Sequence, residues 1–232
     1  MQTFLSSPYR AVLFDMDNTL FDFVESMTCG ARAAVAYLGV GTAEELIGYY
    51  LRWKHHVEDH TNLQDFMIAH NCFTVDSYFG AVNAFDEAKY EHIIPYPGIP
   101  EVLSELKNHG LMLGIVTDAY TYAAEKRLEK SGLKDYFSFV VGYEVTGHMK
   151  PHHEPFEHAL MLAGCKPYEA VFVGDSLRRD IGPASALGMT AIHARYGDRN
   201  FFEPQDGLTA LPKTLYAEKP QDILGILKTV LE

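Results

Sequence analysis

The chain has 232 residues, 47% of them hydrophobic, and a formal net charge of −12. That size and apolar content suffice for a large buried interior, as one domain or a core with an insertion, and the negative balance argues against a general attraction to nucleic acid or an anionic membrane surface. Three widely spaced cysteines, Cys29, Cys72 and Cys165, suit a reducing cytosol, and neither a leader-like start nor an apolar run of about 18 residues is seen, so a cytoplasmic protein is expected.

The first apolar run, Ala11-Val12-Leu13-Phe14, reads as a buried strand, and the polar stretch Asp15-Met16-Asp17-Asn18-Thr19 follows it as turn-forming chemistry. Residues two apart on a strand share a side, so Asp15 and Asp17 face one zone. Two carboxylates that close resist joint ionisation unless a cation intervenes or one takes a proton. A nucleophile paired with an acid/base fits that arrangement; taken alone, the stretch fits a plain turn equally well.

From Phe23 to about Ile94 the periodicity becomes helical. Val24, Met27, Ala31, Val35 and Leu38 recur at helix spacing, Gly39 and Gly41 supply a stop, and Thr42 followed by Glu45 is a capping-box signature. A second helix is expected through Leu46, Ile47, Tyr50, Leu51 and Val57, and shorter pieces around residues 63–67 and from Val75 to about Tyr90. His56 and His60 would then lie one turn apart and, with His55, Glu58 or Asp59, offer a zinc-binding alternative to a solvated face.

Pro95, Pro97-Gly98 and Pro100 break the pattern before a helix from Glu101 to His109. Strand and helix periods then alternate: Leu111–Val116 and Tyr120–Lys130, Phe137–Val141 and Pro155–Ala163, Ala170–Val173 and Asp180–Leu187, and finally Thr190–Ala194. This alternation predicts an α/β fold with a parallel sheet covered on both faces. Residues Arg195 to Lys213 show no period and read as an irregular excursion, and a closing amphipathic helix is expected from Pro220.

Ligands of an open parallel sheet bind beyond the carboxyl ends of its strands. Thr117-Asp118 follows Val116, Lys150 lies in the loop after Val141, and Gly174-Asp175-Ser176 follows Val173, with Asp180 at the next helix start. Thr117 can donate a hydroxyl hydrogen bond, Lys150 can neutralise a phosphoryl group and its attacking carboxylate, and Asp175 with Asp180 offers hard oxygen ligands for a magnesium-sized cation. Singly, each has an ordinary role as a cap or solvated loop residue; together they point to phosphoryl chemistry.

These motifs, Asp15-Met16-Asp17-Asn18-Thr19, Thr117, Lys150-Pro151 and Gly174-Asp175 through Asp180, resemble those of the haloacid dehalogenase-like (HAD) hydrolase superfamily, most of whose members are phosphatases. The resemblance implies a three-layer α/β/α Rossmann-like core, residues 1–20 and 95–232, and an all-helical cap, residues 21–94, that excludes water and supplies specificity. It also implies Mg²⁺ as cofactor and a small phosphorylated metabolite as substrate, with no nucleic-acid or membrane partner, in a monomer or homodimer. In that pattern Asp15 is the nucleophile that becomes an aspartyl-phosphate, and Asp17 is the general acid and then base. Thr117, Lys150 and the backbone at Asp118 hold phosphoryl oxygens; Asp15, the Asp17 carbonyl and Asp175 bind the metal; Asp180 supports the site by orienting Lys150 or a metal-bound water. Asp118 stands where asparagine or glycine is common in relatives, bringing an extra carboxylate close to the site. A sugar phosphomutase shares these groups and is the alternative; a haloacid dehalogenase, which lacks the second aspartate, and a non-catalytic binding protein fit less well.

Overall fold

The structure is a computed structural model in which residues 8–52, 54–199 and 214–230 are described. In chain order the regular elements are β1 (Ala11–Phe14), α1 (Phe23–Leu38), α2 (Ala43–Tyr50), α3 (Thr61–Ala69), α4 (Val75–Glu91), α5 (Ile99–Asn108), β2 (Met112–Val116), α6 (Thr121–Lys130), β3 (Phe139–Val141), α7 (Tyr143–Thr146), α8 (Glu154–Ala163), β4 (Ala170–Gly174), α9 (Gly182–Ala186), β5 (Thr190–Ala194), β6 (Leu215–Ala217) and α10 (Asp222–Val230). The chain divides into two compact units, Met1–Asp22 with Pro95–Glu232 and Phe23–Ile94.

The larger unit is a parallel sheet in the order β3-β2-β1-β4-β5-β6. β1 pairs Ala11 with Met112 of β2 on one side and with Ala170 of β4 on the other. All four β1 side chains are buried, as a strand covered on both faces requires. Ala11 and Leu13 join Phe156, Ala159 and Leu160 of α8 in one apolar cluster, and alternation sends Val12 and Phe14 to the opposite face. There α5, which packs on β2, and α10, which packs on α5, complete the three layers. Helices cover both faces of the parallel sheet, as the strand and helix periods predict.

The order reverses at β1, the central strand, with β2 and β3 to one side and β4, β5 and β6 to the other. Such a reversal opens a crevice at the strand ends. Phe21 and Asp22 belong to this unit rather than to the helical one: Phe21 bridges Asp17 and Pro95, and the Tyr96 N–H donates to the Leu20 carbonyl at 2.8 Å. The insertion therefore starts two residues later than the expected boundary.

β6, which periodicity does not predict, is a three-residue strand at the sheet edge, pairing Leu215 with Ile192. Of the expected irregular stretch, Arg195–Gly197 forms a short 3₁₀ turn, and residues 200–213 lie outside the described residues. The expected helix from Asp180 is instead a π turn over Leu177–Ile181 followed by α9, with Pro183 in the first turn of α9, where its missing N–H is harmless.

The helical unit departs from its expected pattern in two places. α1 buries Phe23, Met27, Gly30, Ala31 and Ala34, while Val24 is exposed. Small residues let α4 approach closely: a Cβ on Gly30 would lie 2.8 Å from the Phe85 carbonyl oxygen, and hydropathy does not register such a face. α2 ends at Tyr50 rather than running through Val57. The Asn62 amide donates to the His56 and Asp59 carbonyls, at 3.0 and 2.9 Å, and so ties the non-helical stretch after α2 to the start of α3. Thr42 caps α2 as expected, accepting from the Glu45 N–H, but the Glu45 carboxylate meets His70 instead of closing the box. Among the described residues, no helix is long and apolar enough to cross a membrane.

Candidate active site

At the carboxyl end of β1 the chain is still tied to the sheet. The Asp15 N–H donates to the Val173 carbonyl at 2.8 Å, and the Thr117 N–H to the Val141 carbonyl at 3.0 Å, so both residues leave their strands with fixed backbones. Asp15 receives the Lys150 ammonium on Oδ1 at 2.5 Å and the Thr19 hydroxyl on Oδ2 at 3.0 Å. Thr117 Oγ1 accepts the Ala119 N–H at 3.2 Å, which leaves the hydroxyl proton to donate elsewhere.

Lys150 is buried and bridges two carboxylates, donating also to Asp180 Oδ1 at 2.7 Å. Burial alone would disfavour its charge, but Asp15, Asp180 and Asp118 outweigh it and hold the ammonium well above the ordinary lysine range. The other oxygen of Asp180 accepts the Ser176 N–H at 3.0 Å. Gly174 is required beside it, because a Cβ there would fall 2.6 Å from the Asp180 side chain.

Asp15, Asp175 and Asp180 each place a carboxylate oxygen within 4.8 Å of the others. Burial first, then the charges of Asp15 and Asp180, push Asp175 well above the carboxylate range. Burial also raises Asp180, to about 6, against the pull of Lys150. Three hard, buried oxygens with this much mutual repulsion are a donor set that fits a small divalent cation. The His193 imidazole sits behind Asp175, 2.8 Å from its carbonyl and 3.2 Å from the Asp198 carboxylate.

The second acid, Asp17, meets the Arg127 guanidinium at 2.5 Å through Oδ2. Burial raises its pKa; Arg127 opposes the shift and Asp15 adds to it. A carboxyl so placed holds a proton more readily than a free aspartate and can still give it up, which is what an acid/base residue needs.

The Asp118 carboxylate ties loops together. Oδ1 accepts the backbone N–H of Lys150 at 2.8 Å, and Oδ2 lies 3.4 Å from Arg179. Its extra charge is therefore shared between the Lys150 loop and the turn after β4. The zinc alternative finds no geometry: His60 contacts Tyr50 and Asp86, His55 contacts Asp65, and the His56 ring accepts the Glu58 N–H, in a segment that is not helical.

The phosphoryl-site residues expected from the motifs, Asp15, Asp17, Thr117, Asp118, Lys150, Asp175 and Asp180, all lie in the sheet unit, at strand ends or, for Lys150 and Asp180, further along the segments that follow β3 and β4. Sequence reasoning misses Arg127 and the buttress Tyr196-Gly197. The Tyr196 hydroxyl donates to the Thr19 carbonyl at 3.0 Å, and a Cβ on Gly197 would fall 1.6 Å from the Asn18 carbonyl oxygen. A signal exists for the first: Arg127 occupies the buried stripe of α6 with Ala123, Ala124 and Leu128.

Residues 12–194 match the family model described as haloacid dehalogenase-like hydrolase. The chain is 29% identical over 228 residues to a glyceraldehyde 3-phosphate phosphatase of Methanopyrus kandleri, covering 94% of this chain and 97% of the relative. It is 30% identical over 200 residues to a phosphoglycolate phosphatase of Chromobacterium violaceum, covering 81% and 86%. Among solved structures, 2-haloacid dehalogenase from Pseudomonas syringae pv. Tomato superposes with a TM-score of 0.67 at 22% identity, over 95% or more of both chains, a likeness of fold alone. Family model, relatives and strand-end motifs agree, and the chain belongs to the haloacid dehalogenase-like hydrolases.

Proposed function

We propose that the protein is a Mg²⁺-dependent phosphomonoester hydrolase acting on a small phosphorylated metabolite through an aspartyl-phosphate on Asp15. The observation that carries this reading is the Asp15–Lys150–Asp180 chain of contacts, at 2.5 and 2.7 Å, beside Asp175. An anionic nucleophile must meet an anionic ester here, and the site gathers the cations that permit it.

Asp15 attacks phosphorus while the ester P–O bond breaks; the electron pair stays on the leaving oxygen, which takes a proton from Asp17. Asp17, now a carboxylate, removes a proton from water as that water attacks the aspartyl-phosphate, releasing phosphate and Asp15. Lys150 offsets the charge on the phosphoryl oxygens, Thr117 and the backbone at Asp118 donate to them, and Asp180 orients Lys150. The carboxylates of Asp15 and Asp175 and the main-chain carbonyl of Asp17 would hold Mg²⁺, which supplies further charge neutralisation at the transferring group.

Asp17 supports a phosphatase over a dehalogenase, whose pattern lacks the second aspartate. The names of the relatives, which specify small phosphorylated acids and aldehydes, support a small metabolite as substrate. The test is phosphate release from a panel of small phosphomonoesters with Mg²⁺ and with chelator, beside Asp15→Asn. Mg²⁺-dependent release that disappears in the variant is expected; release that survives in the variant would count against covalent catalysis on Asp15.

A further inference from the structure

Arg127 is the largest fully buried side chain among the described residues. The other buried residues of α6, Ala123, Ala124 and Leu128, are the apolar residues expected on a buried stripe. Desolvating a guanidinium is costly, and a buried ion pair is often no more stable than apolar residues of the same volume. Stability is therefore a poor explanation for this arginine.

Its contact suggests another. Nη1 donates to Oδ2 of Asp17, a residue 110 positions away in sequence. Asp17 stands on a turn, followed by Asn18 in the left-handed region at φ +61°, and the terminal torsion of an aspartate is intrinsically broad. Oδ1 has no hydrogen-bond partner among the described residues. The guanidinium is thus the contact that fixes the plane of this carboxyl. Because a guanidinium has only donors, Oδ2 must accept, and a protonated Asp17 carries its proton on Oδ1.

We infer that Arg127 is a positioning residue for proton transfer: it orients the Asp17 carboxyl so that Oδ1 delivers the proton to the leaving oxygen. The inference rests on the reading of Asp17 as acid/base. In the step concerned, the P–O bond of the ester breaks, its electron pair goes to the ester oxygen, and the Oδ1 proton joins that oxygen to give the free alcohol.

Leaving groups separate this role from a structural one. An aryl phosphate expels a phenolate that needs little protonation, whereas an alkyl phosphate expels an alkoxide that needs it fully. The experiment measures kcat and KM of the full chain with Mg²⁺ on p-nitrophenyl phosphate and on an alkyl phosphate, for the parent protein, Arg127→Met and Arg127→Lys. General acid catalysis is worth about 10²- to 10⁴-fold; Arg127→Met is expected to lower kcat/KM on the alkyl ester at least ten times more than on the aryl ester, through kcat. Arg127→Lys restores part of the difference. The ratio of two substrates in one preparation does not depend on the fraction folded, and Arg127→Lys provides it should the methionine variant not fold. An equal loss on both esters, or none, overturns the assignment and leaves the phosphatase reading intact. Activity that persists in Asp15→Asn overturns the parent reading and this one with it.

Discussion

Both units of the molecule bury charge, but they balance it differently. In the helical unit, Asp86 lies 2.7 Å from Lys89 and 3.3 Å from His60, whose other ring nitrogen is 3.0 Å from the Tyr50 hydroxyl. There one acid faces a lysine and a histidine. In the sheet unit, Asp15, Asp175 and Asp180 crowd within 4.8 Å, and Lys150 bridges two of them. The first arrangement sets one acid between a lysine and a histidine; the second crowds three acids together and fits a cation. Local charge balance, rather than burial, separates structural from chemical polar residues here.

The sharpest way to test that contrast is Asp15→Asn. Turnover should fall by about four orders of magnitude or more, since the nucleophile is lost, while the metal-free protein should melt at a higher temperature because repulsion with Asp175 is relieved. An unchanged or lower melting temperature would mean that the cluster is already balanced. Asp175→Asn should raise the Mg²⁺ concentration for half-maximal activity by about tenfold or more, read from a metal titration. Gly197→Ala should destabilise by about 1–3 kcal/mol in urea denaturation, because its Cβ would sit 1.6 Å from the Asn18 oxygen; activity should drop with it, as Asn18 adjoins Asp17.

In the helical unit the expected effects are on stability alone. Although burial acts to raise it, His60 and Lys89 hold the Asp86 pKa well below the carboxylate range. A depressed carboxylate stabilises above its unfolded pKa, about 3.9, and the contribution disappears as pH falls through the folded value. Asp86→Asn should therefore cost about 2 kcal/mol at neutral pH and progressively less below about pH 4, measured by denaturation at both ends. The smallest effect has the opposite sign. Gly48 lies inside α2, where an added Cβ would meet nothing within 4 Å, so Gly48→Ala should raise stability by about 0.5–1 kcal/mol in the same denaturation assay.

The sheet and the strand-end groups are legible because each depends on a local pattern. An apolar run followed by Asp-x-Asp, Thr-Asp or Gly-Asp announces both a strand and what it carries. What escapes depends on partners far along the chain: Arg127 acts on Asp17 from 110 residues away, and the Tyr196 hydroxyl reaches Thr19 from 177. The buried face of α1 is legible only in part: Met27 and Ala31 lie on the expected stripe, whereas Gly30 and Ala34 are buried by the approach of α4 rather than by hydropathy. The loop after α2 is equally silent, because its tie to Asn62 of α3 leaves no mark on periodicity.

The Phe21–Pro95 bridge has a consequence for how such a chain can vary. It clamps the two ends of the inserted segment within the sheet unit, so that the insertion behaves as a loop with a fixed mouth. Closing a flexible loop twice as long costs only about 0.6 kcal/mol more. For the sheet unit the mouth is the same whatever length of chain it closes, so changes of length within residues 23–94 are expected to leave the register of the strands unaltered.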